Sequence, residues 1–531
     1  MTAEPLPAPP LPPGRPNLVL SGLMGAGKST CGAAAAAALG LPFVDLDAVV
    51  ERRAGRTVAE IFAAGGEAAF RALERAAVAD AARLSSTVIA AGGGAPADRA
   101  SFASLARTGV SALLSVTPAE AVRRVGAASA RPLLAGDARA TLERLAVERG
   151  DAYAAAGEAL DTSARTAEDV TRELVGRYRS AAAPGPLRLD VRIGDVTTRV
   201  VVGDGILAAA ARELGAAAPD VTRAIVVADS AVLAHVQPIE RSLREGGFSL
   251  LGPVAIPAGE AAKTLATVDL LWRRFQGERI DPSCAVIAVG GGAALDAAGF
   301  AAATYARGLP LVNVPTTTLA MADAALGGKV AIDHAGAKNL VGAYHPARLV
   351  LADPAVCRTL GPSTTAEGLA EIVKAGILAS PLVAELAADA PLEWLLEQAL
   401  RVKAAYVAAD PRDAGVRRSL NLGHTFAHAI ESASEHRVSH GAAVAMGLVA
   451  AARLGAALGT CPPRLADDLA RTLAALGLPT RAPDLDRARM LAAMEADKKR
   501  SGGAVRFVVP AAGGAALVSG IAPRDALGHL A

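Results

Sequence analysis

The stretch "GLMGAGKST", residues 22–30, follows the apolar run "PNLVLSG" and precedes the alanine-rich run "CGAAAAAALG". It matches the pattern GxxxxGK[ST], with Gly22, Gly27, Lys28 and Ser29 at the required spacing. In such a loop, glycines let backbone N–H groups surround phosphate oxygens, the lysine reaches the β and γ phosphates, and the hydroxyl holds Mg²⁺. A strand before the loop and a helix after it predict an α/β domain that binds a nucleoside triphosphate.

Length and composition limit the remaining classes of function. The 531 residues predict roughly three domains, and the 54 basic and 52 acidic residues are well mixed along the chain, which argues against nucleic acid or an anionic membrane as partners. Small-molecule substrates are expected instead. No uncharged run reaches the ~18 residues of a membrane span, so we expect a soluble protein. Four widely separated cysteines fit the reducing cytoplasm.

The alternation of strand-like and helical runs predicts the domain organisation. A proline-rich tail without the features of a signal peptide is expected to be disordered over residues 1–16. An α/β domain follows over 17–178, then a linker over 179–187, a second α/β domain over 188–355 and a mainly helical domain over 356–531. Because small residues and prolines fill the linker, each half is expected to bury its own core and to survive a cut there.

Lysine is scarce in this chain. Only eight of the 54 basic residues are lysines, so arginine supplies positive charge wherever either residue would serve. A compact ammonium group can approach a phosphate or change its protonation state in ways that a planar guanidinium group cannot. Each lysine is therefore a candidate functional residue.

Acidic and basic residues follow the phosphate loop in the first domain. Asp45 and Asp47 alternate at the end of the strand in "FVDLD", so one is expected to support Mg²⁺ and the other to face an acceptor hydroxyl. Arg71 and Arg149 are candidates for clamping a substrate carboxylate. Taken one at a time, these arginines are more often ordinary surface cations.

Together with "VIAAGGGAP", "RPLLAG" and "ERGDAY", these residues resemble shikimate kinase over Ser21 to Tyr153. The resemblance implies a P-loop kinase fold, ATP with Mg²⁺ as cosubstrate, Asp47 as general base, and Glu74 as the residue that orients Arg71. It places the shikimate contacts at Asp47, Arg71, Gly92, Gly93, Gly94 and Arg149. It places the ATP contacts at Gly25, Ala26, Gly27, Lys28, Ser29, Thr30, Arg124 (stacked on adenine) and Arg131 (on a lid), with Ser29 at Mg²⁺ and Asp45 supporting it indirectly.

The second α/β domain contains a glycine-rich strand end, "AVGGGAALDAAGF", that can receive a pyrophosphate on its backbone N–H groups. Alone this is a weak dinucleotide signal, because the pattern is not GxGxxG. Three further polar loops, "PAGEAAKT", "VPTTTLAMADAALGGKVAID" and "GAKNLVGAYHP", also follow predicted elements. Loops at the ends of successive elements of an α/β sheet predict one shared cleft.

Four of the eight histidines lie within "NLGHTFAHAIESASEHRVSHG", residues 421–441. His424 and His428 are spaced i, i+4 on one helix face, and His440 begins the next helical segment. The glutamate of HExxH is absent, which excludes the metalloprotease pattern. Glu371, beside Lys374 on an apolar helix, supplies a carboxylate, and together with histidines it predicts an open zinc site. Spacing alone favours His424 and His428, the i, i+4 pair, as the metal ligands.

The stretch from Leu187 to Pro510 resembles dehydroquinate synthase. The resemblance implies that Glu371, His424 and His440 bind Zn²⁺ or Co²⁺, and that His428 contacts the phosphate or acts in catalysis. It assigns NAD⁺ to Asp229, Glu260, Lys263, Gly291, Gly292, Asp296, Thr316, Thr317 and Lys338. It assigns the heptulosonate phosphate to Asp323, Lys329, Asn339, Lys374, Lys403, Arg417, Asn421, His428, Lys498 and Lys499, of which Lys329, Lys374, Lys403, Arg417, Asn421 and His428 are also the expected catalytic groups.

The two resemblances together predict a fused, cytoplasmic, bifunctional enzyme, and they leave room for a homodimer formed through the synthase half. Two alternatives remain at this point. The second half could be a related sugar-phosphate cyclase that makes a cyclitol with the same cofactors. Alternatively, one half could be a catalytically dead scaffold, although the intact Lys28, Asp47, Glu371, His424 and His440 argue against that.

Overall fold

A computed structural model describes residues 2–125, 137–182, 185–500 and 505–530, without the side chains of 138 and 496–500. These residues form two compact units. The smaller comprises Pro13–Gly185 with Asp389–Trp394, and the larger comprises Met1–Pro12, Pro186–Ala388 and Leu395–Ala531. The architecture is mixed α/β with a helical C-terminal part, as the sequence predicts.

The first 182 residues contain the strands β1 (Thr2–Pro7), β2 (Asn17–Gly22), β3 (Phe43–Asp45), β4 (Val88–Ala90), β5 (Gly109–Ser115) and β6 (Glu158–Asp161). Their helices are α1 (Lys28–Leu39), α2 (Leu46–Ala54), α3 (Val58–Ala81), α4 (Arg99–Ala106), α5 (Pro118–Val125), α6 (Ala138–Glu148), α7 (Gly150–Ala154) and α8 (Ala167–Ala181).

The later strands are β7 (Leu187–Ile193), β8 (Val196–Val202), β9 (Arg223–Asp229), β10 (Ser249–Ile256), β11 (Cys284–Gly290), β12 (Leu311–Pro315), β13 (Lys329–His334), β14 (Ala337–Tyr344), β15 (Leu349–Ala352), β16 (Arg506–Ala511) and β17 (Gly514–Ser519). The later helices are α9 (Ala210–Ala217), α10 (Val236–Glu245), α11 (Leu265–Gly277), α12 (Gly292–Thr304), α13 (Pro362–Ala379), α14 (Pro381–Leu386), α15 (Leu392–Ala409), α16 (His424–Ala433), α17 (His440–Ala457), α18 (Leu465–Ala475), α19 (Arg487–Arg500) and α20 (Pro523–Ala526).

The smaller unit is built on a five-stranded parallel sheet in the order β3-β4-β2-β5-β6. Every residue of β2 is buried, which explains its continuous apolar run, because a central parallel strand is covered on both faces. The phosphate loop leaves this strand and enters α1 at Gly27, whose φ of 96° favours glycine. The N-terminus of α1 therefore lies at the carboxyl end of the central strand.

The larger unit contains a seven-stranded sheet in the order β10-β9-β11-β12-β15-β8-β7, parallel except for the β7–β8 pair. Helix α12 begins directly after β11, with Gly291 as its N-cap. In the helical part, α17 packs against α13, α16 and α18. Helix α17, His440–Ala457, is long and apolar enough to cross a membrane, but 72% of it is buried within the fold.

The N-terminal tail is ordered, contrary to the expectation of disorder. Strand β1 pairs antiparallel with β17, which in turn pairs with β16. Leu6 is buried at 5% exposure, and the prolines of β1 are tolerated because β1 is an edge strand. Composition does not reveal this strand, because the strand forms only by pairing with β17, which lies more than 500 residues away in the chain.

The units also differ from the predicted domain limits at a second place. Residues Asp389–Trp394 belong to the smaller unit although they lie far along the chain. There the indole N–H of Trp394 donates to the Ser85 carbonyl (2.9 Å) and to the Thr87 hydroxyl (3.1 Å), and Arg15 pairs with Glu393 (2.8 Å). Neither unit is therefore one continuous segment, and a cut in the linker removes part of each.

We predict that Leu6→Ala destabilises the larger unit by about 2 kcal/mol, since it removes the apolar anchor of β1. Glu4→Ala, at an exposed position of the same strand, should change stability by less than about 0.5 kcal/mol. Urea unfolding followed by the fluorescence of Trp272, in a chain carrying Trp394→Phe, measures the larger unit. Equal midpoints for the two variants would show that β1 adds no stability.

Candidate active sites

The phosphate loop of the smaller unit brings together the groups expected at a nucleotide and its magnesium ion. The Lys28 ammonium donates to the carbonyls of Gly22 (2.8 Å) and Leu23 (3.2 Å), so it lies across the loop. The Ser29 hydroxyl donates to an Asp45 carboxylate oxygen at 2.5 Å. A hydroxyl and a carboxylate in contact beside the phosphate cradle are a suitable pair of oxygens for Mg²⁺.

The glycines that follow β4 form one wall of a second group of polar side chains. A Cβ at Gly92 would lie 2.6 Å from Asp47 Oδ1 and 2.7 Å from Glu74 Oε1. A Cβ at Gly94 would lie 2.2 Å from Arg71 Nη1. Any side chain at these two positions would displace the carboxylates or the guanidinium, so the close approach requires glycine.

Asp47 reaches this wall from a helix, which differs from the predicted strand position. Asp45 ends β3 and caps α2, accepting the N–H of Asp47 at 3.0 Å, so Asp47 lies in the first helical turn. The two carboxylates therefore separate because of the helix cap, and not because of strand alternation. The expected division of roles between them is unchanged by this correction.

Arg71 is held by two carboxylates of its own helix. Its Nη1 donates to buried Glu74 at 2.6 Å, and its Nη2 donates to exposed Glu67 at 2.9 Å. Burial raises the pKa of Glu74 above its ordinary value of 4.5, although the charge of Arg71 opposes this shift. Nearby Asp47 also raises the pKa of Glu74.

Two residues converge on the middle glycine of the same loop. The Gly93 carbonyl accepts hydrogen bonds from Arg149 Nη1 (2.9 Å) and from the hydroxyl of Tyr153 (2.6 Å). Tyr153 was not predicted to act here, although its place four residues after Arg149 puts both on adjoining turns. Arg149 and Arg71 thus both lie beside the glycine loop, and their role in binding a carboxylate stays a prediction.

The remaining nucleotide contacts are placed less completely. Arg124 lies beside the phosphate loop, where it donates to Glu120 (2.7 Å), to the Thr162 carbonyl (2.5 Å) and to the Gly25 carbonyl (3.4 Å). Its predicted stacking on adenine stays a prediction. Arg131 lies outside the described residues.

In the larger unit, the expected dinucleotide contacts lie along one edge of the seven-stranded sheet. Asp229 ends β9, Gly291 and Gly292 follow β11, and Thr316 and Thr317 follow β12. Because β9, β11 and β12 are parallel neighbours, their carboxyl ends meet at the same edge. The Thr316 hydroxyl is buried and lacks a hydrogen-bond partner among the described residues.

A buried lysine connects groups that were assigned to different ligands. Lys263 donates to Asp296 at 2.8 Å and also to the side chain of Asn339. Burial raises the pKa of Asp296 to about 6, against the opposing effect of Lys263. On the neighbouring loop, Lys338 and Glu260 lie 3.4 Å apart. The expected cofactor and substrate groups therefore form one continuous network.

Glu371, His424 and His440 converge from α13, α16 and α17. Their ligand atoms lie within 4.8 Å of one another, and His424 Nε2 and His440 Nε2 are 3.4 and 3.6 Å from Glu371 Oε1. His424 Nδ1 faces the Leu422 carbonyl at 3.1 Å, which leaves Nε2 for the cluster. Glu371 Oε1 is buried without a well-formed hydrogen bond among the described residues. One carboxylate and two imidazoles fit a catalytic zinc ion with an open position.

The charge of Glu371 is compensated by lysines. Burial would raise the pKa of Glu371, but Lys374, paired with it, holds that pKa well below its ordinary value. Asp323 contacts Lys403 at 2.5 Å and Lys374 at 3.9 Å, and these ammonium groups lower its pKa although burial would raise it. Two carboxylates and two ammonium groups thus form one buried cluster next to the histidines.

The other predicted substrate groups fall into three sets. Arg417 is buried, donating to the carbonyls of Pro411 (2.9 Å) and Gly327 (3.0 Å), while Lys329 pairs with Asp413. Asn421 and His428 are exposed on either side of His424. The side chains of Lys498 and Lys499, in α19, lie outside the described residues.

Sequence reasoning missed two carboxylates near these groups. Asp413 holds Lys329, and Glu431 lies 3.3 Å from His440 Nδ1. Glu431 follows His428 by three positions, so helical spacing could have placed it near the histidine face. Asp413 has no such signal, because it lies in a loop far from Lys329 in the chain.

Comparisons with known proteins agree with this geometry. The family model "Shikimate kinase" matches residues 24–179, and the models "3-dehydroquinate synthase N-terminal" and "3-dehydroquinate synthase C-terminal" match residues 253–367 and 368–500. The 3-dehydroquinate synthase of Synechococcus sp. is 37% identical over 362 residues, covering 64% of this chain and 97% of that protein. The Nocardia farcinica enzyme is 39% identical over 334 residues, covering 61% of this chain and 89% of that protein.

A similar solved structure is 2-epi-5-epi-valiolone synthase of Streptomyces hygroscopicus with NAD⁺ and Zn²⁺ bound, at 25% identity and a TM-score of 0.57, covering 64% of this chain and 97% of that one. Identity is thus higher to the dehydroquinate synthases than to this valiolone synthase. The chain belongs to the 3-dehydroquinate synthase family and carries a shikimate kinase domain on the N-terminal side of its synthase.

Proposed function

We propose that the chain catalyses two steps of the shikimate pathway. The smaller unit transfers the γ-phosphoryl group of ATP to shikimate, which gives shikimate 3-phosphate. The larger unit converts 3-deoxy-D-arabino-heptulosonate 7-phosphate into 3-dehydroquinate with loss of phosphate. The observation that carries the second assignment is the convergence of Glu371, His424 and His440 beside two buried lysines. The phosphate loop and the arginines that flank Gly92–Gly94 support the first.

In the kinase, backbone N–H groups of the loop and the N-terminus of α1 receive the phosphates of ATP. The ATP contacts are Gly25, Ala26, Gly27, Lys28, Ser29, Thr30, Arg124 and Arg131. Lys28 leaves its two loop carbonyls to neutralise the β and γ oxygens, and Ser29 with Asp45 supports Mg²⁺. These groups position the phosphoryl group and oppose the charge that develops during its transfer.

Shikimate lies against the glycine loop. Arg71 and Arg149 receive its carboxylate, and Asp47 accepts the proton of the hydroxyl that attacks the γ-phosphorus. The new oxygen–phosphorus bond forms as the bond to the bridging oxygen of ADP breaks. Glu74 keeps Arg71 aimed at the carboxylate through its 2.6 Å hydrogen bond.

The synthase uses NAD⁺ and Zn²⁺, for which Co²⁺ can substitute. When bound, NAD⁺ would supply reversible hydride transfer at a ring carbon, and the metal ion would supply Lewis-acid polarisation of the oxygen on that carbon. The metal ligands are Glu371, His424 and His440, whose donor set and buried carboxylate fit such an ion. The dinucleotide contacts are Asp229, Glu260, Lys263, Gly291, Gly292, Asp296, Thr316, Thr317 and Lys338.

The chain's own residues bind and orient the anionic substrate. Its carboxylate and phosphate are received by basic and amide groups of the larger unit, with His428 at the phosphate. These groups are Lys329, Asn339, Lys374, Lys403, Arg417, Asn421, Lys498 and Lys499. Asp323 holds Lys403 and Lys374 in place, so the two ammonium groups stay fixed when no substrate is bound.

We place the enzyme in the cytoplasm as a homodimer through the synthase half, acting on small molecules and on neither nucleic acid nor membranes. Strand β14 supports the dimer, because it exposes the side chains of Leu340 (54%), Val341 (39%) and Tyr344 (43%). A cyclitol product remains the second candidate, favoured only by the likeness to the valiolone synthase. Mass spectrometry of the product formed from the heptulosonate phosphate separates the two.

We predict that the two activities separate by metal and by residue. A strong zinc chelator followed by excess Mg²⁺ should abolish cyclisation and leave phosphorylation intact, because the two ligand sets differ in chemistry.

Lys28→Arg should lower the kcat of phosphorylation on the order of 100-fold, since a guanidinium cannot occupy the place of the ammonium, while cyclisation stays unchanged. Loss of both activities in either experiment would contradict separate sites.

We predict that Glu74 makes shikimate binding pH-dependent. Because its pKa lies above 4.5, it is protonated at a higher pH than an ordinary glutamic acid and then loses the charge that holds Arg71. The KM for shikimate should therefore rise as the pH falls through that pKa. In Glu74→Gln, KM should be about tenfold higher at neutral pH, equivalent to ~1.4 kcal/mol, and should lose this dependence.

Glu67→Gln is the matched control for this experiment, because Glu67 also bonds Arg71 but is exposed. It should keep the acid-side rise of KM. If Glu74→Gln shows the same pH profile as the unaltered chain, Glu74 does not control Arg71.

A further inference from the structure

His440 lies between two carboxylates, and this distinguishes it from the other histidine of the cluster. Its Nε2 faces Glu371 Oε1 at 3.6 Å, and its Nδ1 faces Glu431 Oε2 at 3.3 Å. His424 instead turns its Nδ1 to a backbone carbonyl, that of Leu422. The two imidazoles therefore present the same nitrogen to the metal position but have different partners behind them.

Glu431 is not placed to bind the ion itself. The ligand atoms that lie within 4.8 Å of one another belong to Glu371, His424 and His440. The Glu431 carboxylate lies on the far side of the His440 ring, against the nitrogen that points away from this group.

The backbone of Glu431 also shapes the turn that leads to His440. Its carbonyl accepts the N–H of His436 (2.8 Å) and the hydroxyl of Ser434 (3.0 Å). Within this turn, Glu435 and His436 adopt φ values of 53° and 60°, in the left-handed region that non-glycine residues rarely occupy. One residue thus fixes both the ring of His440 and the path of the chain between α16 and α17.

We infer that Glu431 is a positioning residue that tightens metal binding through His440, by accepting the Nδ1–H and leaving Nε2 as the donor to the ion. This inference rests on the metal site of the proposed function. A carboxylate behind a histidine ligand fixes the ring tautomer and raises the basicity of the coordinating nitrogen. Loss of such a partner typically weakens metal affinity about 10- to 100-fold.

The test uses the full chain, stripped of metal and titrated with Zn²⁺ against a chromophoric chelator and with Co²⁺ alone. Glu431→Gln should raise the dissociation constant of Zn²⁺ about 10- to 100-fold and shift the visible absorption of bound Co²⁺, with one ion still bound. Glu435→Gln is the control, because Glu435 lies in the same turn but is exposed and pairs with Arg489. Its affinity and spectrum should equal those of the unaltered chain.

Three outcomes would overturn the inference. The first is an unchanged zinc affinity in Glu431→Gln. The second is a complete loss of cobalt binding, as in Glu371→Gln, which would make Glu431 a direct ligand. The third is a lowered unfolding midpoint of the metal-free Glu431→Gln variant that accounts for its weaker metal binding. Failure of the unaltered chain to bind any ion would instead contradict the proposed metal site, so the two hypotheses fail in different ways.

Discussion

The synthase site depends on compensation of charges that are almost fully buried. Glu371 and Lys374 are each 3% exposed, and isolated charges at that depth would carry a large desolvation cost. Their pairing, extended by Asp323 and Lys403, makes the cluster tolerable without a ligand. Burial would lower the pKa of His440, but its contacts with the Glu371 and Glu431 carboxylates raise that pKa to about 10. In the proposed function, a metal ion would take the place of the proton on His440, and the anionic substrate would face the lysines.

The kinase site also brings charged side chains close together, but there the absence of side chains at two glycines makes the close approach possible. Gly92 and Gly94 let two carboxylates and a guanidinium come within contact distance of the loop that follows β4. The acceptor groups then lie beside the phosphate cradle, because β2 and β4 are neighbouring parallel strands whose carboxyl ends share one edge of the sheet. In both units, polar groups lie at the carboxyl ends of strands, and charged side chains on helices pair with one another beside them.

Several contacts that the sequence did not predict have a common cause. The tail seemed disordered by composition, yet β1 pairs with a strand at the other end of the chain. Trp394 lies in a helix of the late sequence but contacts Ser85, and Asp413 reaches Lys329 from a distant loop. Glu431 differs, because its helical spacing was visible but its role depends on the direction of the His440 ring. Contacts between distant segments leave no local pattern in composition, periodicity or spacing.

The sequence by itself determined the classes of chemistry and the elements that carry them. The phosphate loop, the glycine-rich strand ends, the scarce lysines and the histidine cluster each follow from local residue types, and the α/β pattern follows from hydrophobic periodicity. Apart from the family resemblance, which implies the same ligand set, only the tertiary structure decided that His424 and His440, and not the i, i+4 pair of His424 and His428, meet Glu371. The reason is that residues of three helices meet at this site, and the packing of those helices determines which side chains come together. Residue spacing within a single helix carries no information about that packing.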